Sequence, residues 1–231
     1  ASKWFGRIKI TQWRKSMTDQ LLEMIQRKYP LSEISVGDMK RIKANGMNFS
    51  IQAYEAAGLG HVSVMRAKGF FGLMKMDTLI INPRVIDLPL YSYDRIYAAG
   101  NDTLIVELYD TLTTEYSEQV LEAAKAELPG FERDPGEHWY DNIKLPGSIS
   151  KKGKKAQTPR FDELTRKHFE AYLAGENEVT DTEKKQEKAS VYVEGLLSKG
   201  GPSTDVFKKA LGDETTNNLF RKYLFGTLVE K

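Results

Sequence analysis

The 231-residue sequence contains no cysteine, and this absence excludes several chemistries at once. It rules out disulfides, thiolate nucleophiles and cysteine-ligated zinc or iron–sulfur centres. No apolar run approaches the roughly 18 residues of a transmembrane helix, and the opening ASKWFGRIKITQW lacks the apolar segment of a signal peptide. We therefore expect a cytoplasmic protein that has no membrane partner and no iron–sulfur cluster of its own.

The common catalytic and nucleotide-binding motifs are missing as well. The sequence has no Walker-type phosphate loop, no G-x-G-x-x-G after a strand, no H-E-x-x-H and no G-x-S-x-G. Its three histidines, His61, His138 and His168, lie far apart without the spacing of metal ligands, and packed or surface positions explain them more simply. We predict no metal site. Dinucleotide chemistry, metal-dependent hydrolysis and acyl transfer all lose support.

Five segments with alternating apolar and polar residues are present, at 47–55, 61–68, 74–82, 91–98 and 103–110. Short connections join them, which favours an antiparallel meander because parallel pairing needs long crossovers. One helical pattern precedes them at 17–30, and others follow at 117–128, 158–175, 181–199, 203–212 and 215–228. Strands followed by helices predict an α+β fold, here in a single domain over residues 1–231.

The last of the five strands carries an acid where its apolar face continues. Leu104, Val106, Leu108 and Asp110 share one face, since side chains alternate along a strand. A carboxyl beside three apolar residues is partly desolvated, so we expect its pKa to rise and the group to act as a general acid. The alternative is that Asp110 caps the turn after the strand, with Thr111 assisting.

Basic residues are concentrated in one part of a chain whose net charge is only +2. They are Lys151, Lys152, Lys154, Lys155, Arg160, Arg166 and Lys167. Such a cluster attracts anionic partners, although a solvated loop and helix face is the simpler explanation. A nucleic-acid-binding module is disfavoured, because the sequence has neither an RNP-like aromatic strand nor a recognition-helix signature.

Four pieces of the sequence, taken in order, resemble the ferredoxin-dependent bilin reductases, whose superfamily includes red chlorophyll catabolite reductase. The pieces are YEAAGLGHVSVMRAKGFFGLMKMDTLIINP, INPRVIDLPLYSYDRIYAAGNDTLIVELYDT, ELPGFERDPGEHWYDNIKLP and DVFKKALGDETTNNLFRKYLFGTL. The resemblance spans roughly residues 45–228 and depends on the order and spacing of the pieces rather than on any one of them.

The resemblance implies an α/β/α sandwich, in which helices flank a central antiparallel sheet. It also implies that no redox cofactor is permanently bound. A linear tetrapyrrole such as biliverdin would bind between sheet and helices, be protonated, and accept single electrons from an external [2Fe–2S] ferredoxin. We accordingly expect a monomeric oxidoreductase of the phycobilin biosynthesis type. The alternative is a protein of the same fold that binds a bilin without reducing it.

The resemblance also suggests individual site residues. Asp110 matches the family's central Asp, which faces the bilin and supplies a proton. Lys144 replaces an Arg that binds a propionate, and it keeps the charge but loses the bidentate fork. The other substrate-binding positions are Asn82, Ser92, Val206 and Asp94, for the last of which a structural role is the alternative. The residues expected to dock ferredoxin are Lys151, Lys152, Lys154 and Lys155.

Three ionisable groups of the family are absent from this chain. In the phycocyanobilin-forming branch a Glu precedes the proline that is Pro83 here, where this chain has Asn82, and the catalytic His falls at Ser92. The family's helix-side Asn-Asp-Lys falls near residues 200–202. The resemblance therefore leaves Asp110 as the retained proton donor, and the sequence does not specify which double bond is reduced.

Overall fold

A computed structural model describes residues 15–115, 119–201 and 203–228, and its centre is an eight-stranded antiparallel sheet. The strands are β1 Leu31–Ile34, β2 Arg41–Ala44, β3 Met47–Ala56, β4 Gly60–Gly69, β5 Met74–Pro83, β6 Leu90–Ala98, β7 Asn101–Tyr109 and β8 Ile149–Lys154. Across the sheet they follow the order β1, β3, β4, β5, β6, β7, β8, and β2 pairs with the first half of β3.

The five strands predicted from the alternating pattern are confirmed as β3 to β7. The pattern does not reveal β1 and β2, which are only four residues long, or β8 at the edge of the sheet. Strand β8 has the mostly polar sequence ISKKGK. It is the last strand of the sheet and pairs with one other strand, β7. Edge strands commonly carry lysine, which discourages pairing with other chains.

Helices cover both faces of the sheet. They are α1 Met17–Lys28, α2 Gln119–Ala126, α3 Thr158–Leu173, α4 Thr182–Lys199, α5 Thr204–Leu211 and α6 Asp213–Asn218, followed by a π-helical segment, Leu219–Leu224. Local chemistry sets their starts: Ser16 and Asp19 form a capping box at α1, and Asp181 accepts a hydrogen bond from the Lys184 amide at α4.

Two hydrophobic cores result, one on each side of the sheet. The first packs α1 and α3 against one sheet face, with Leu21, Phe161 and Val106 among its fully buried residues. The second packs α4, α5 and the π-helical segment against the other face, with Val193 and Phe207 at its centre. The predicted α/β/α sandwich around an antiparallel sheet is therefore confirmed.

The alternation of side chains along β7 decides where a ligand site can form. Leu104, Val106 and Leu108 are completely buried in the first core. Ile105, Glu107 and Tyr109 face the opposite side, under the C-terminal helices. The helices over the second face leave Glu107, in the middle of β7, only partly exposed, so its carboxylate can line a cavity there.

Candidate functional site

A cavity of about 180 Å³ lies between the second face of the sheet and the C-terminal helices. The polar and aromatic residues of its floor are Thr78, Ser92, Asp94, Glu107 and Tyr109, from strands β5 to β7. Its roof comprises Tyr192 and Leu196 of α4 together with Phe220, Leu224 and Phe225. A connecting segment closes one side with Arg133, His138 and Tyr140.

Two carboxyl groups stand on the floor of this cavity. Asp94 of β6 is paired with Ile105 of β7, so Glu107, two residues further along β7, is its diagonal neighbour on the same face. Diagonal neighbours are separated by about 7–8 Å. Burial raises the pKa of Asp94, the hydrogen bond from the Thr78 hydroxyl lowers it and the charge of Glu107 raises it, and together they bring it to about 6. Asp94 is therefore a carboxyl that is half protonated at about pH 6 and keeps a minor protonated fraction at neutral pH.

Three tyrosine rings meet beside Glu107. The ring of Tyr109 stacks on that of Tyr192 at 4.0 Å between centroids and meets Tyr140 edge to face at 5.5 Å. The Tyr109 hydroxyl donates a hydrogen bond of 2.6 Å to Glu107. Burial raises the pKa of all three phenols above the usual value of 10.0, so they remain neutral hydrogen-bond donors. The site thus combines flat aromatic walls with two partly exposed acids on its floor.

A second cavity, of about 330 Å³, adjoins the first; its lining has three basic side chains and two acidic ones, Glu107 and Glu132, and we call it the basic cavity. The two cavities share Ile105, Glu107, Arg133 and Pro135 in their linings. Lys125, Arg133 and Lys144 provide the cationic groups of the second cavity. The Lys144 ammonium lies 2.7 Å from the carboxylate of Asp141, and the Arg133 guanidinium donates to the Ser150 hydroxyl at 3.2 Å. The predicted anion-binding Lys144 is therefore next to the main cavity rather than in it.

The environment predicted for Asp110 is wrong. Strand β7 ends at Tyr109, and the chain turns, so Asp110 leaves the apolar face of Leu108. Its side chain is 41% exposed, and the Lys188 ammonium of α4 lies 3.0 Å and 3.1 Å from its two carboxylate oxygens. It also accepts a hydrogen bond from the Leu112 amide at 3.0 Å, as a turn cap does. Asp110 is not among the residues that line the cavity.

Of the other predicted substrate-binding residues, Ser92 and Asp94 lie in the cavity floor, whereas Asn82 and Val206 lie outside the lining. Val206 packs against the second core. Asn82 is buried, and its amide donates to the carbonyl oxygen of Phe225 at 2.8 Å. Its role is therefore to hold the roof of the cavity in place rather than to contact a ligand there.

The π-helical segment is fastened to the sheet by two more side chains. The His61 ring lies 2.8 Å from the carbonyl oxygen of Tyr223, and the Ser63 hydroxyl donates to Leu224 at 2.7 Å. Gly226 must remain glycine, because a Cβ there would lie 2.3 Å from the His61 ring. Single-turn π-helices often occur at functional sites, and this one supplies Phe220 and Leu224 to the cavity roof.

The basic cluster is divided by the structure. Lys151 points into the protein with 1% exposure, where it donates to the Gly130 carbonyl at 2.8 Å and pairs with Glu132 at 2.5 Å. Its predicted part in docking is wrong for that reason. Lys152, Lys154 and Lys155 are exposed at the edge of the sheet. The alternation of β8 explains the difference, since Lys151 shares its face with the buried Ile149.

Two histidines are structural and one lines the cavity. His61 and His168 are buried, and burial lowers the pKa of each to about 4, against hydrogen bonds to the carbonyls of Tyr223 and Gly147. His138 lines the cavity and stacks on Tyr140 at 4.9 Å. In the described part of the chain no group of His, Asp and Glu side chains is arranged to hold a metal ion.

The sequence pattern does not by itself identify Glu107, Tyr109, Arg133, His138, Tyr140 or Tyr192 as site residues. A signal for the acid pair was present, however. Glu107 interrupts a strand between Val106 and Leu108, Asp94 lies in the middle of the preceding strand, and the helices that follow the strands predict that both sheet faces are covered. When helices cover both faces of a sheet, an acid in the middle of a strand indicates a cavity at least as well as an acid at the end of the strand.

No protein-family model matches the sequence, and no curated protein sequence is significantly similar to it. Solved structures are similar to it. The crystal structure of phytochromobilin synthase from tomato in complex with biliverdin matches with a TM-score of 0.71, over 91% of this chain and 82% of that one, at 14% sequence identity. The chain has the bilin reductase fold. This fold agrees with the resemblance seen in the sequence. The cavity described above lies between the sheet and the helices.

Proposed function

We propose that this protein binds a linear tetrapyrrole, biliverdin or a related bilin, and reduces it by proton-coupled single-electron steps. The observation that carries the proposal is the acid pair of Asp94 and Glu107 on the floor of an aromatic cavity. The similarity to a biliverdin-bound structure supports the choice of ligand class, and the chemistry of the side chains supports the reaction.

The size of the site fits such a ligand only if both cavities contribute. Sites for drug-sized molecules usually measure about 300–1,000 Å³. The main cavity, at about 180 Å³, is too small, and the adjoining basic cavity of about 330 Å³ brings the site into that range. In this arrangement the conjugated rings lie between Asp94 and Glu107 of the floor and Phe220 and Leu224 of the roof, beside the stacked rings of Tyr109 and Tyr192. The two propionates reach toward Arg133 and Lys144, where ionised carboxylates gain charge-assisted hydrogen bonds.

The reaction needs two electrons and two protons for each double bond reduced. Asp94 supplies the first proton, because a carboxyl with a pKa of about 6 is partly protonated near neutral pH and readily gives its proton to a ligand nitrogen or carbon. Glu107 stands beside Asp94 on the same floor. The neutral Tyr109 hydroxyl donates a hydrogen bond to its carboxylate and so holds it beside the ligand. This assignment replaces Asp110, which stands outside the cavity.

The electrons come one at a time from an external [2Fe–2S] ferredoxin, two for each double bond. An acidic ferredoxin fits the exposed lysines Lys152, Lys154 and Lys155, which lie at the edge of the sheet close to the basic cavity. Electrostatic attraction of this kind speeds association and weakens as salt is added. A bilin carrier without reductase activity is the competing proposal, and it needs the same cavity but neither the acid pair nor the lysines.

The deciding experiment has two stages. Biliverdin is first titrated into the protein while the visible absorption is followed, and then reduced ferredoxin is added without oxygen. Reduction predicts a changed bilin spectrum at the first stage and a new product at the second. An altered spectrum without any product would support the carrier, and a spectrum identical to that of free biliverdin would remove both functions.

A further inference from the structure

The turn between β4 and β5 carries an unusual group of exposed apolar side chains. We call residues 70–73, with the sequence FFGL, the apolar tip. Phe70 is 53% exposed, Leu73 is 75% exposed, and Phe71 at 109% is as exposed as a residue can be. The strands behind the tip are regularly paired up to Gly69 and Met74, so the tip stands at the end of a well-formed hairpin. Large apolar side chains in such a position need a partner.

The backbone of the apolar tip is held in a conformation that suits its residues poorly. Phe70 has a φ of 51° and Phe71 a φ of 55°, both in the left-handed region that glycine and asparagine adopt most readily. Aromatic residues at these two positions are therefore not explained by the stability of the turn. Strain kept in an exposed turn points to a use for the side chains.

Lysines stand directly behind the apolar tip. Lys68 and Lys75 are exposed and form a directly opposed pair across β4 and β5. Like charges facing each other in this way are unfavourable, and Asp77, the next residue of β5 on the same face, offsets part of that charge; an anionic surface would offset the rest. Asn48 of β3 is paired with Lys68 on one side and with Lys43 of β2 on the other, so Lys43 extends the same row of positive charge.

The whole end of the sheet that carries the apolar tip is positive. Its turns and terminal strand residues, at 43–48, 67–76, 97–103 and 152–157, are all described by the structure. Their lysines are Lys43, Lys68, Lys75, Lys152, Lys154 and Lys155. The carboxylate in these four ranges is that of Asp102, which is fully buried in an ion pair with Arg95. These four ranges therefore present apolar groups and positive charge, and the carboxyls of Asp77 and Asp19 lie behind them beside Arg66.

We propose that the apolar tip docks this protein on the surface of an anionic lipid bilayer. Phe70, Phe71 and Leu73 enter the boundary between headgroups and acyl chains, and the lysines behind them contact lipid phosphates. A bilayer fits better than a protein surface because the apolar tip is a small protrusion, whereas stable protein interfaces bury about 800 Å² on each partner.

This mode of binding does not require a segment that crosses the membrane. No helix in the described ranges combines the length and the apolar character that a membrane span needs. The expectation of no membrane partner rests on the absence of such segments and does not bear on docking by a turn. The apolar tip is separate from the bilin site, since Phe70, Phe71 and Leu73 do not line it. The lipid contacts proposed for the tip use Lys68 and Lys75, whereas Lys152, Lys154 and Lys155 are the lysines proposed to dock ferredoxin.

The test is co-sedimentation of the bilin-free protein with vesicles of phosphatidylcholine alone and of phosphatidylcholine with about a third of phosphatidylglycerol. The protein should bind the anionic vesicles, and binding should weaken between about 0.1 M and 1 M salt. Phe71→Ser should lower the partition coefficient by about 10- to 100-fold, the loss of one buried aromatic side chain. Val191→Ser is the matched control, since Val191 is 62% exposed on α4, away from the apolar tip, and it should bind like the unaltered protein.

Charge is tested separately with the Lys68→Gln, Lys75→Gln double variant, which should bind more weakly and lose much of the salt dependence. Circular dichroism establishes that each variant is folded, and an unchanged biliverdin titration shows that the bilin site is intact. The proposal is overturned if the unaltered protein does not bind anionic vesicles or if Phe71→Ser binds them equally well. It is also overturned if Phe71→Ser acts only by changing self-association or ferredoxin-driven turnover, because the partner of the tip is then a protein.

Discussion

Asp94 and Glu107 stand on adjacent strands and on the same sheet face, and the charge of Glu107 adds to the burial that raises the pKa of Asp94. Burial is the larger cause, and together the two effects keep a proton on Asp94 at a pH where an exposed aspartate has lost it. A retained proton under an aromatic cavity is what a reductase needs and what a carrier does not.

Asp94→Asn tests the proton donor. Asparagine keeps the size of the side chain and can still pair with Thr78, but it has no acidic proton to give. We expect the variant to bind biliverdin and to lose about 10²- to 10⁴-fold in the rate of reduction, the usual contribution of a positioned general acid. The matched control is Asp110→Asn, which alters a similar carboxyl outside the cavity and should stay within a few-fold of the unaltered rate. A large loss in Asp110→Asn with a normal rate in Asp94→Asn would reverse the assignment.

The same carboxyl makes stability depend on pH. The ordinary pKa of 3.8 applies to the unfolded chain, and the folded value is about 6, so the folded state binds this proton more tightly. The stabilisation of the folded state by protonated Asp94 is therefore fully present below about pH 4 and is lost as the pH rises to about 6. The shift amounts to a cost of roughly 2–3 kcal/mol above pH 6.

Asp94→Asn should remove this dependence. Thermal unfolding followed at several pH values between about 4 and 7 should show the variant gaining stability over the unaltered protein as pH rises. Glu107→Gln should have a smaller effect in the same direction, because it removes only one cause of the raised pKa. Parallel curves for Asp94→Asn and the unaltered protein would show that Asp94 is not perturbed.

The sequence predicts the fold well and the site only in part, and one strand explains the difference. The alternation along β7 correctly places Leu104, Val106 and Leu108 in a core. It cannot show that β7 ends at Tyr109, which is what turns Asp110 toward Lys188. Strand ends depend on tertiary contacts, here with the segment 143–145, and these are invisible in a local pattern.

The residues of the roof and of the basic cavity could not be predicted from the sequence for a similar reason. Arg133 and Tyr140 belong to an irregular segment with no periodicity, and Tyr192 looks like any aromatic residue of an amphipathic helix. They converge only because α4 crosses the second face of the sheet. Lys151 is the opposite case. It belongs to a cluster of basic residues in the sequence, which predicts an exposed side chain, but it is buried.

The two kinds of lysine in that cluster should behave differently. The triple variant Lys152→Glu, Lys154→Glu, Lys155→Glu should keep its fold and its biliverdin titration while ferredoxin-driven turnover slows and loses its salt dependence. Lys151→Ala should instead lower the free energy of unfolding by about 1–3 kcal/mol, because it removes a buried side chain together with its hydrogen bond to the Gly130 carbonyl and its ion pair with Glu132. Denaturant unfolding and steady-state rates separate the two effects. A triple variant with an unchanged rate would assign those lysines to other roles.

The basic cavity should contribute to affinity and not to chemistry. Arg133→Ala and Lys144→Ala each remove a cation that faces a propionate in the proposed pose, and each should raise the Kd for biliverdin about tenfold. Lys125→Ala should have a smaller effect, since the Lys125 ammonium is turned to the Pro146 carbonyl. The dimethyl ester of biliverdin provides the control, because it carries no charge for these residues to bind. If the ester distinguishes the variants as strongly as biliverdin does, the propionates do not lie in this cavity.

Phe71 should prove to be a residue that costs stability. Its φ of 55° and ψ of 30° are left-handed, and its side chain is completely exposed, so the folded state gains nothing from the ring. Asparagine tolerates this conformation, and Phe71→Asn should stabilise the protein by about 0.5–1 kcal/mol, raising Tm by about 1–3 °C. The same substitution should weaken binding to anionic vesicles. Differential scanning calorimetry measures the first effect and co-sedimentation the second.

Val191→Asn, at an exposed helical position, should show neither gain nor loss of lipid binding and a slightly lower Tm. A fall in Tm for Phe71→Asn would mean that the ring packs against the protein, and it would remove the reason to look for a partner at the tip.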